Sequence, residues 1–124
     1  MSPSDTLQRM NDITTPVAEL KQLVAAFVAE RDWERYHVPK HLAMSIAIEA
    51  AELMEHFQWV DTESPEDVMA DAERMQQVRE ELSDVLAYTL SLANALKIDV
   101  STAFAEKMKK NAVKYPADEV KRWD

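Results

Sequence analysis

The amino-acid sequence predicts an all-α protein. None of its 124 residues is glycine, so the Asn-Gly and Asp-Gly turns that favour tight β-hairpins are absent. The chain is 47% hydrophobic, and alanine, leucine, methionine and glutamate, which favour helices, occur throughout. At this length one domain can bury about two-thirds of the surface that the unfolded chain exposes. The sequence therefore predicts a single helical domain with a core of its own.

The predicted domain covers residues 15–116. Residues 1–14 are polar and are predicted to form a flexible arm that precedes it. Pro116 prevents the last helix from continuing, because proline lacks the backbone N–H that a helix interior needs. Residues 117–124 are charged and are predicted to form a mobile tail.

Two prolines indicate where the first two helices begin. Thr15 and Pro16 have the residue types of an N-cap followed by the first helical position, which predicts a helix from there to about Asp32. A short connector follows. Pro39 then begins a second helix, which is predicted to end near Trp59.

Capping residues indicate three more helices in the second half of the chain. The segment Ser64-Pro65-Glu66-Asp67 resembles a capped helix start, and it predicts a short helix. A long helix is predicted from about Ala72 to about Lys97. Asp99 is predicted to cap a last helix that extends to about Ala112.

Charge and composition exclude several classes of function. The chain has 14 lysines and arginines against 23 acidic residues, a formal charge of −9, which repels nucleic acid and anionic membranes. Without glycine there is no glycine-rich phosphate loop, and without cysteine there is no disulfide or thiol catalysis. No apolar run approaches the roughly 18 residues of a transmembrane helix, and the N-terminus lacks the apolar stretch of a signal peptide. We therefore expect a cytoplasmic protein with neither nucleic acid nor a membrane as partner.

Two pairs of acidic residues are the candidate site. Glu49 and Glu52 are three residues apart on the second long helix, and Glu81 and Asp84 repeat this spacing on the next one. Residues three apart lie on one face of a helix. Such pairs also occur on solvated helix faces, but here apolar residues flank both of them. Ionised carboxylates are disfavoured in such surroundings unless a cation is present.

The expected helix hairpin brings the two acidic pairs together. If the helices are antiparallel, the pairs lie within about 3 Å of the same level along the bundle. Neither helix carries lysine or arginine on that arc, so a hard divalent cation fits better than a basic side chain. Oxygen ligands suit Mg²⁺, with Mn²⁺ as a substitute, and leave positions open for water or phosphate oxygens. The pattern predicts metal-dependent phosphate chemistry.

Several stretches of the chain resemble a known family. Glu49-x-x-Glu52 followed by Glu81-x-x-Asp84 resembles the E-x-x-E and E-x-x-D signature of the all-α nucleoside triphosphate pyrophosphatases, the MazG-like superfamily. Further stretches are similar to the dCTP pyrophosphatase branch of that superfamily: Phe27–Pro39, Glu55–Trp59, Glu80–Tyr88 and Lys107–Pro116. The resemblance covers about residues 20–116.

The resemblance implies a fold, a reaction and an assembly. The fold would be a four-helix-bundle-like arrangement of about five helices, with helices also packed between subunits of a homodimer or homotetramer. The reaction would be Mg²⁺-dependent hydrolysis of a nucleoside triphosphate, dCTP or a modified dCTP, to the monophosphate and pyrophosphate, which cleans the nucleotide pool. Val24 stands where the animal dCTP enzymes carry a histidine, so the base preference stays open.

The resemblance also implies roles for individual residues. The metal ligands would be Glu49, Glu52, Glu81 and Asp84, and Glu52 would in addition orient or deprotonate the attacking water. The substrate would be bound by a larger set of residues: Trp33, Glu34, His37, Trp59, Asp84, Tyr88, Lys107, Asn111, Lys114 and Tyr115.

Two other classes are weighed against this interpretation. A non-catalytic acidic helical bundle that binds or regulates a partner has a similar composition, and its aromatic residues would then fill a core. A di-iron carboxylate bundle needs two Glu-x-x-His pairs. Only Glu34 and His37 have that spacing, and they lie in the connector.

Overall fold

A computed structural model describes residues 3–61 and 63–120, and within these ranges the chain is helical without a β-strand. The all-α prediction is confirmed. The described residues form seven α-helices: α1 Pro3–Gln8, α2 Val17–Glu30, α3 Pro39–Glu55, α4 Pro65–Ala70, α5 Ala72–Leu96, α6 Val100–Lys114 and α7 Ala117–Val120. A 3₁₀ turn, Glu34–Tyr36, lies between α2 and α3.

The short helices α1 and α7 lie in the segments predicted to be the arm and the tail. The end of the predicted tail, residues 121–124, lies outside the described residues. In the part of the chain that is described, no helix is both long enough and apolar enough to cross a membrane.

Local capping signals place the starts of α4, α5 and α6. Ser64 and Asp67 form a reciprocal capping box at α4. Asp71 accepts a hydrogen bond from the amide of Arg74 at 3.1 Å and so caps α5. Asp99 caps α6, as predicted, and the hydrogen bonds that it accepts from Thr102 hold its pKa below the usual range.

The predicted boundaries of α2 are wrong by one residue at the start and by two residues at the end. The helix begins at Val17 with Pro16 in the N-cap position, not Thr15. The hydroxyl of Thr15 instead accepts a hydrogen bond from the amide of Asn11 at 3.1 Å, so it is engaged by the preceding turn. The helix ends at Glu30 rather than Asp32.

The predicted end of α3 near Trp59 is also wrong, because the helix ends at Glu55. The amides of His56 and Phe57 donate to carbonyls three residues back, at 3.3 and 3.0 Å, which tightens the chain into turns. Trp59 therefore lies in a link between helices and not on a helical face. The last long helix, α6, extends two residues beyond the predicted Ala112.

Helix α5 is the centre of the fold. It packs most extensively against α3, and then against α2 and α4. The start of α5 contacts the end of α3 through Arg74 and His56, so these two helices are antiparallel, as the acidic pairs require. The buried apolar side chains lie at these contacts: Val28, Leu42, Leu90 and Ala93.

This core is small for a chain of this length. Large apolar side chains are exposed on several helices, including Leu82 and Leu86 on α5 and Phe104 and Met108 on α6. Residues 101–110 of α6 are all exposed. A single copy therefore leaves apolar surface uncovered along α5 and α6.

Candidate metal centre and nucleotide pocket

Three carboxylates from two helices meet between α3 and α5. One oxygen from each of Glu49, Glu52 and Glu81 lies within 4.8 Å of the others. Glu49 and Glu52 face the same side of α3 because they are three residues apart, and the antiparallel packing brings Glu81 of α5 opposite them. The two acidic motifs were predicted to bring four carboxylates together, and the structure brings three of them together.

The electrostatics of this cluster are unfavourable without a cation. The Oε2 atoms of Glu49 and Glu81 are buried and have no hydrogen-bond partner. Burial, reinforced by the neighbouring carboxylates of Glu81 and Glu52, raises the pKa of Glu49 from 4.5 to about 7. Burial also raises the pKa of Glu81, although a proton donated by Glu49 opposes that rise. Like charges at this separation resist simultaneous ionisation.

The donor set fits a hard divalent cation. In the described ranges the ion pairs join Arg31 with Glu30, Arg35 with Asp32, and Arg74 with Glu63, so no basic side chain pairs with the three clustered carboxylates. Two buried carboxylate oxygens without a partner are ligand atoms of the kind that Mg²⁺ and Mn²⁺ prefer.

Asp84, the fourth predicted ligand, lies one turn after Glu81 on α5 and is exposed. Its carboxylate is not part of the group of three. Its negative charge nevertheless contributes to the raised pKa of Glu81, so it lies within electrostatic reach of the cluster.

Trp33 is placed by the turn that ends α2. Asp32 has a left-handed backbone, with φ 55°. The amides of Asp32 and Trp33 donate to the carbonyls of Ala29 and Val28, both at 3.1 Å, which is the Schellman pattern of a helix end. The indole then packs edge-on against Phe27, with ring centroids 5.8 Å apart.

A cavity of about 230 Å³ lies beside Trp33 at the start of α3. The rings of His37 and Tyr88 line it with their centroids 6.4 Å apart. The remaining lining residues are Tyr36, His41, Leu42 and Ser45. The structure therefore brings Trp33, His37 and Tyr88 together, as the resemblance implied.

A second, larger cavity of about 440 Å³ lies between α2 and α5 on the other side of His37. Val24 and Val28 contribute to its apolar wall, and Glu34 and Asn94 are among its polar residues. Glu34 thus faces this cavity, and His37 lines both.

His41 and Ser45 line the smaller cavity but are not among the predicted site residues, although their spacing along α3 could have indicated them. His41, Ser45, Glu49 and Glu52 follow one another at spacings of four, four and three, so they share one face of α3. That face connects the smaller cavity with the carboxylates.

The structure does not bring the remaining predicted substrate residues to the carboxylates. Trp59 is 87% exposed and lies in the link after α3. Four other predicted residues lie on α6 or directly after it: Lys107, Asn111, Lys114 and Tyr115. Among the described residues, no ion pair joins either lysine to the three clustered carboxylates.

The chain is similar to known proteins in sequence and in structure. Its residues 44–123 match the model of the MazG-like family. It is 41% identical to dCTP pyrophosphatase 1 of Mus musculus over 99 residues, 79% of this chain, and 38% identical to dCTP pyrophosphatase 1 of Homo sapiens over 99 residues, 80% of this chain. The match spans 58% of the length of each of these relatives.

A solved structure supports the same relationship. The crystal structure of a pyrophosphatase from Archaeoglobus fulgidus superposes with a TM-score of 0.74 at 40% sequence identity, covering 87% of this chain and 99% of that one. These matches agree with the acidic signature and the all-helical fold, and together they identify the family of the chain. The chain belongs to the MazG-like family, and dCTP pyrophosphatases are among its relatives.

Proposed function

We propose that this chain hydrolyses a nucleoside triphosphate to the monophosphate and pyrophosphate in a Mg²⁺-dependent reaction. The observation that carries the proposal is the convergence of Glu49, Glu52 and Glu81, two of them with a buried oxygen that has no partner. The relatives named dCTP pyrophosphatase 1 and the structural neighbour named a pyrophosphatase support the same reaction.

The carboxylate cluster would bind the cation. Glu49, Glu52 and Glu81 would hold it, and Asp84 would join them with a modest movement of its exposed side chain. The bound cation supplies charge neutralisation on the phosphates and lowers the pKa of a bound water. We assign to Glu52 the further task of orienting the attacking water and accepting its proton, since Glu49 and Glu81 are the acids whose oxygens are buried.

The aromatic cavity lies at a suitable distance for the base of the same nucleotide. Ser45 in the cavity is one turn before Glu49 on α3, about 6 Å along the helix axis. Tyr88 is seven residues after Glu81 on α5, about 10 Å along that axis. A base stacked near Trp33 and Tyr88 could therefore extend its phosphates to the carboxylates. This arrangement favours a nucleotide over inorganic polyphosphate.

The proposed substrate is dCTP or a modified dCTP, and the proposed role is cleaning of the cytoplasmic nucleotide pool. The names of the mammalian relatives support the cytosine base.

We further propose that the active form is a homodimer or a homotetramer. The exposed apolar side chains of α5 and α6 would be covered by a second copy. Helix α6 carries Lys107, Asn111 and Lys114, and among the described residues neither lysine forms an ion pair. In an assembly these residues would supply phosphate contacts to the acidic site of a neighbouring copy.

Pyrophosphate release tests the reaction. We expect hydrolysis when the chain is incubated with single deoxynucleoside triphosphates and Mg²⁺, with monophosphate and pyrophosphate formed in equal amounts. Glu49→Gln, Glu52→Gln and Glu81→Gln should each lower kcat/KM by at least about 100-fold with an unchanged helical circular dichroism spectrum. Glu55→Gln on the same helix is the matched control. Absence of turnover with every nucleotide would favour a non-catalytic binding protein.

Subunit complementation tests the assembly. Chains carrying Glu49→Gln lack a cation ligand, and chains carrying Lys107→Ala lack a phosphate contact. If α6 serves a neighbouring site, mixing the two inactive chains should restore part of the activity. Mixtures no more active than their components, or a monomer in sedimentation, would refute the proposed sharing.

A further inference from the structure

One face of α3 leads from the smaller cavity to the carboxylates. His41, Ser45 and Glu49 follow one another on this face at intervals of four residues, and the first two line the cavity. Ser45 is about 6 Å from Glu49 along the helix axis, whereas His41 is about 12 Å away. Among the cavity residues on α3, Ser45 is therefore the one nearest to the carboxylates along the helix.

The hydroxyl of Ser45 is free to bind a ligand. On α5, the hydroxyls of Ser83 and Thr89 each donate to the carbonyl four residues earlier, at 2.7 Å, which is a common local partner of a helical serine or threonine. The hydroxyl of Ser45 forms no such bond and has no other hydrogen-bond partner among the described residues. The residue is half-buried in the cavity wall. Its hydroxyl therefore offers both a donor and an acceptor to whatever fills the cavity.

The order of groups in a nucleotide places the sugar next to Ser45. In the proposed complex the phosphates bind the cation at the carboxylates, and the base lies against the rings of Trp33 and Tyr88 in the cavity. The sugar joins the base to the phosphates, so it lies at the end of the cavity nearest to the carboxylates. On the face of α3 that leads there, Ser45 is the residue at this level.

Helix α5 offers the sugar no neutral alternative at the same level. On the face that carries Glu81 and Tyr88, the residue between them is Asp84, at spacings of three and four. Asp84 is an acid that we assign to the cation. The neutral hydrogen-bonding side chain that the two facing helices offer the sugar is thus Ser45.

We propose that Ser45 binds the 3′-hydroxyl of the nucleotide sugar. The proposal rests on the proposed function, since it assumes a nucleotide that spans the cavity and the carboxylates. The 3′-hydroxyl is the only hydroxyl of a deoxynucleoside 5′-phosphate sugar, because the 5′ oxygen carries the phosphates and the 2′ position carries hydrogen. Ser45 therefore makes the enzyme sensitive to the loss of this group, and a 2′,3′-dideoxynucleotide is a poorer ligand.

Calorimetric titration with nucleoside monophosphates tests the contact without any reaction. In the presence of Mg²⁺, the wild type should bind dCMP at least about threefold more tightly than 2′,3′-dideoxycytidine monophosphate, as expected for one neutral hydrogen bond. In Ser45→Ala the two should bind equally, because the loss falls on dCMP alone. Thr89→Ala is the matched control and should keep the wild-type ratio, since the hydroxyl that it removes is bonded to Val85.

The comparison of two ligands separates a lost contact from a damaged fold. Alanine favours a helix more than serine does, so Ser45→Ala should keep the helical circular dichroism spectrum of the wild type. An equal loss of affinity for both monophosphates would mean that Ser45 acts on another part of the nucleotide or on the fold, and would overturn the proposal. An unchanged ratio in Ser45→Ala would overturn it as well.

Steady-state kinetics distinguish this proposal from the proposed function. Ser45→Ala should lower kcat/KM for dCTP at least about threefold and leave kcat/KM for 2′,3′-dideoxy-CTP unchanged. The expected binding ratios without hydrolysis would refute the hydrolase and retain the sugar contact. Hydrolysis of both triphosphates with equal kcat/KM in the wild type would refute the contact and leave the hydrolase intact. A wild type that neither binds nor hydrolyses these nucleotides would overturn both.

Discussion

Glu49 of α3 and Glu81 of α5 each bury one carboxylate oxygen without a partner, and their carboxylates form a single group with Glu52. The two helices thus bring negative charge together, and no basic side chain of the described residues forms an ion pair with it. This relationship determines how the stability of the protein depends on pH and on metal.

The first prediction concerns pH in the absence of metal. Because the folded-state pKa of Glu49 is about 7, above the ordinary 4.5, the folded protein binds more protons than the unfolded chain between these values. The contribution of Glu49 to the free energy of unfolding should therefore be largest at low pH, fall as the pH rises to about 7, and then level off. Melting temperatures in the presence of a chelator measure this.

The comparison with Glu49→Gln isolates that contribution from other titrating groups. The variant cannot ionise at this position, so its melting temperature should decline less between about pH 5 and about pH 8. Identical profiles for the two proteins would show that Glu49 is not the group responsible.

The second prediction concerns stabilisation by Mg²⁺. A cation that binds only the folded state adds about 2.7 kcal/mol at a concentration one hundred times its Kd. The melting temperature should rise with Mg²⁺ beyond the effect of NaCl at matched ionic strength. Glu52→Gln should be more stable without metal and respond less to Mg²⁺, since one repelling charge and one ligand are lost.

Glu55→Gln is the control for this experiment, because Glu55 is exposed on the same helix and is not part of the group of three. A Mg²⁺ response of equal size in the wild type and in Glu52→Gln would place the cation elsewhere.

The third prediction concerns the tryptophans. Trp33→Ala and Trp59→Ala should each raise KM for the nucleotide more than they lower kcat, because stacking is present in the ground and transition states alike. The loss should be about 1–3 kcal/mol for a stacked base. It should shrink for tripolyphosphate, and nucleotide binding should quench tryptophan emission in the wild type. Normal KM values for both variants, with unchanged emission, would assign these residues a structural role.

The fourth prediction concerns the end of α5. Lys97 has a left-handed backbone, φ 55° and ψ 43°, and its amide and that of Ile98 close a Schellman turn. A side chain with a Cβ is strained there by about 1–2 kcal/mol relative to glycine, which this chain lacks entirely. Allowing for the greater freedom of glycine when unfolded, Lys97→Gly should raise the free energy of unfolding by about 0.5–1 kcal/mol.

Urea denaturation measures this change, at a constant protein concentration. Ala95→Gly, two residues earlier inside the helix, should instead lower the free energy of unfolding by about 1 kcal/mol. A midpoint for Lys97→Gly at or below that of the wild type would contradict the argument from backbone conformation.

The features that the sequence alone determined are those that depend on neighbours within one or two turns. Ser64 and Asp99 cap helices because their side chains reach amides three residues ahead. Glu49 and Glu52 share a face because of their spacing, whatever the rest of the fold does. The all-helical class, the long α5 and the acidic face could therefore be read from the chain.

Only the tertiary structure decided where α3 ends and which carboxylates meet. Arg74 binds the carbonyl of His56 from a different helix, so Trp59 lies in a link and not on the predicted helical face. The register between α3 and α5 brings Glu81, but not the exposed Asp84, into contact range of Glu49. These outcomes depend on contacts between residues distant in the chain, whose energies are set by packing and burial. Local sequence patterns predicted that the acidic pairs would meet, but they do not determine the register that separates Glu81 from Asp84.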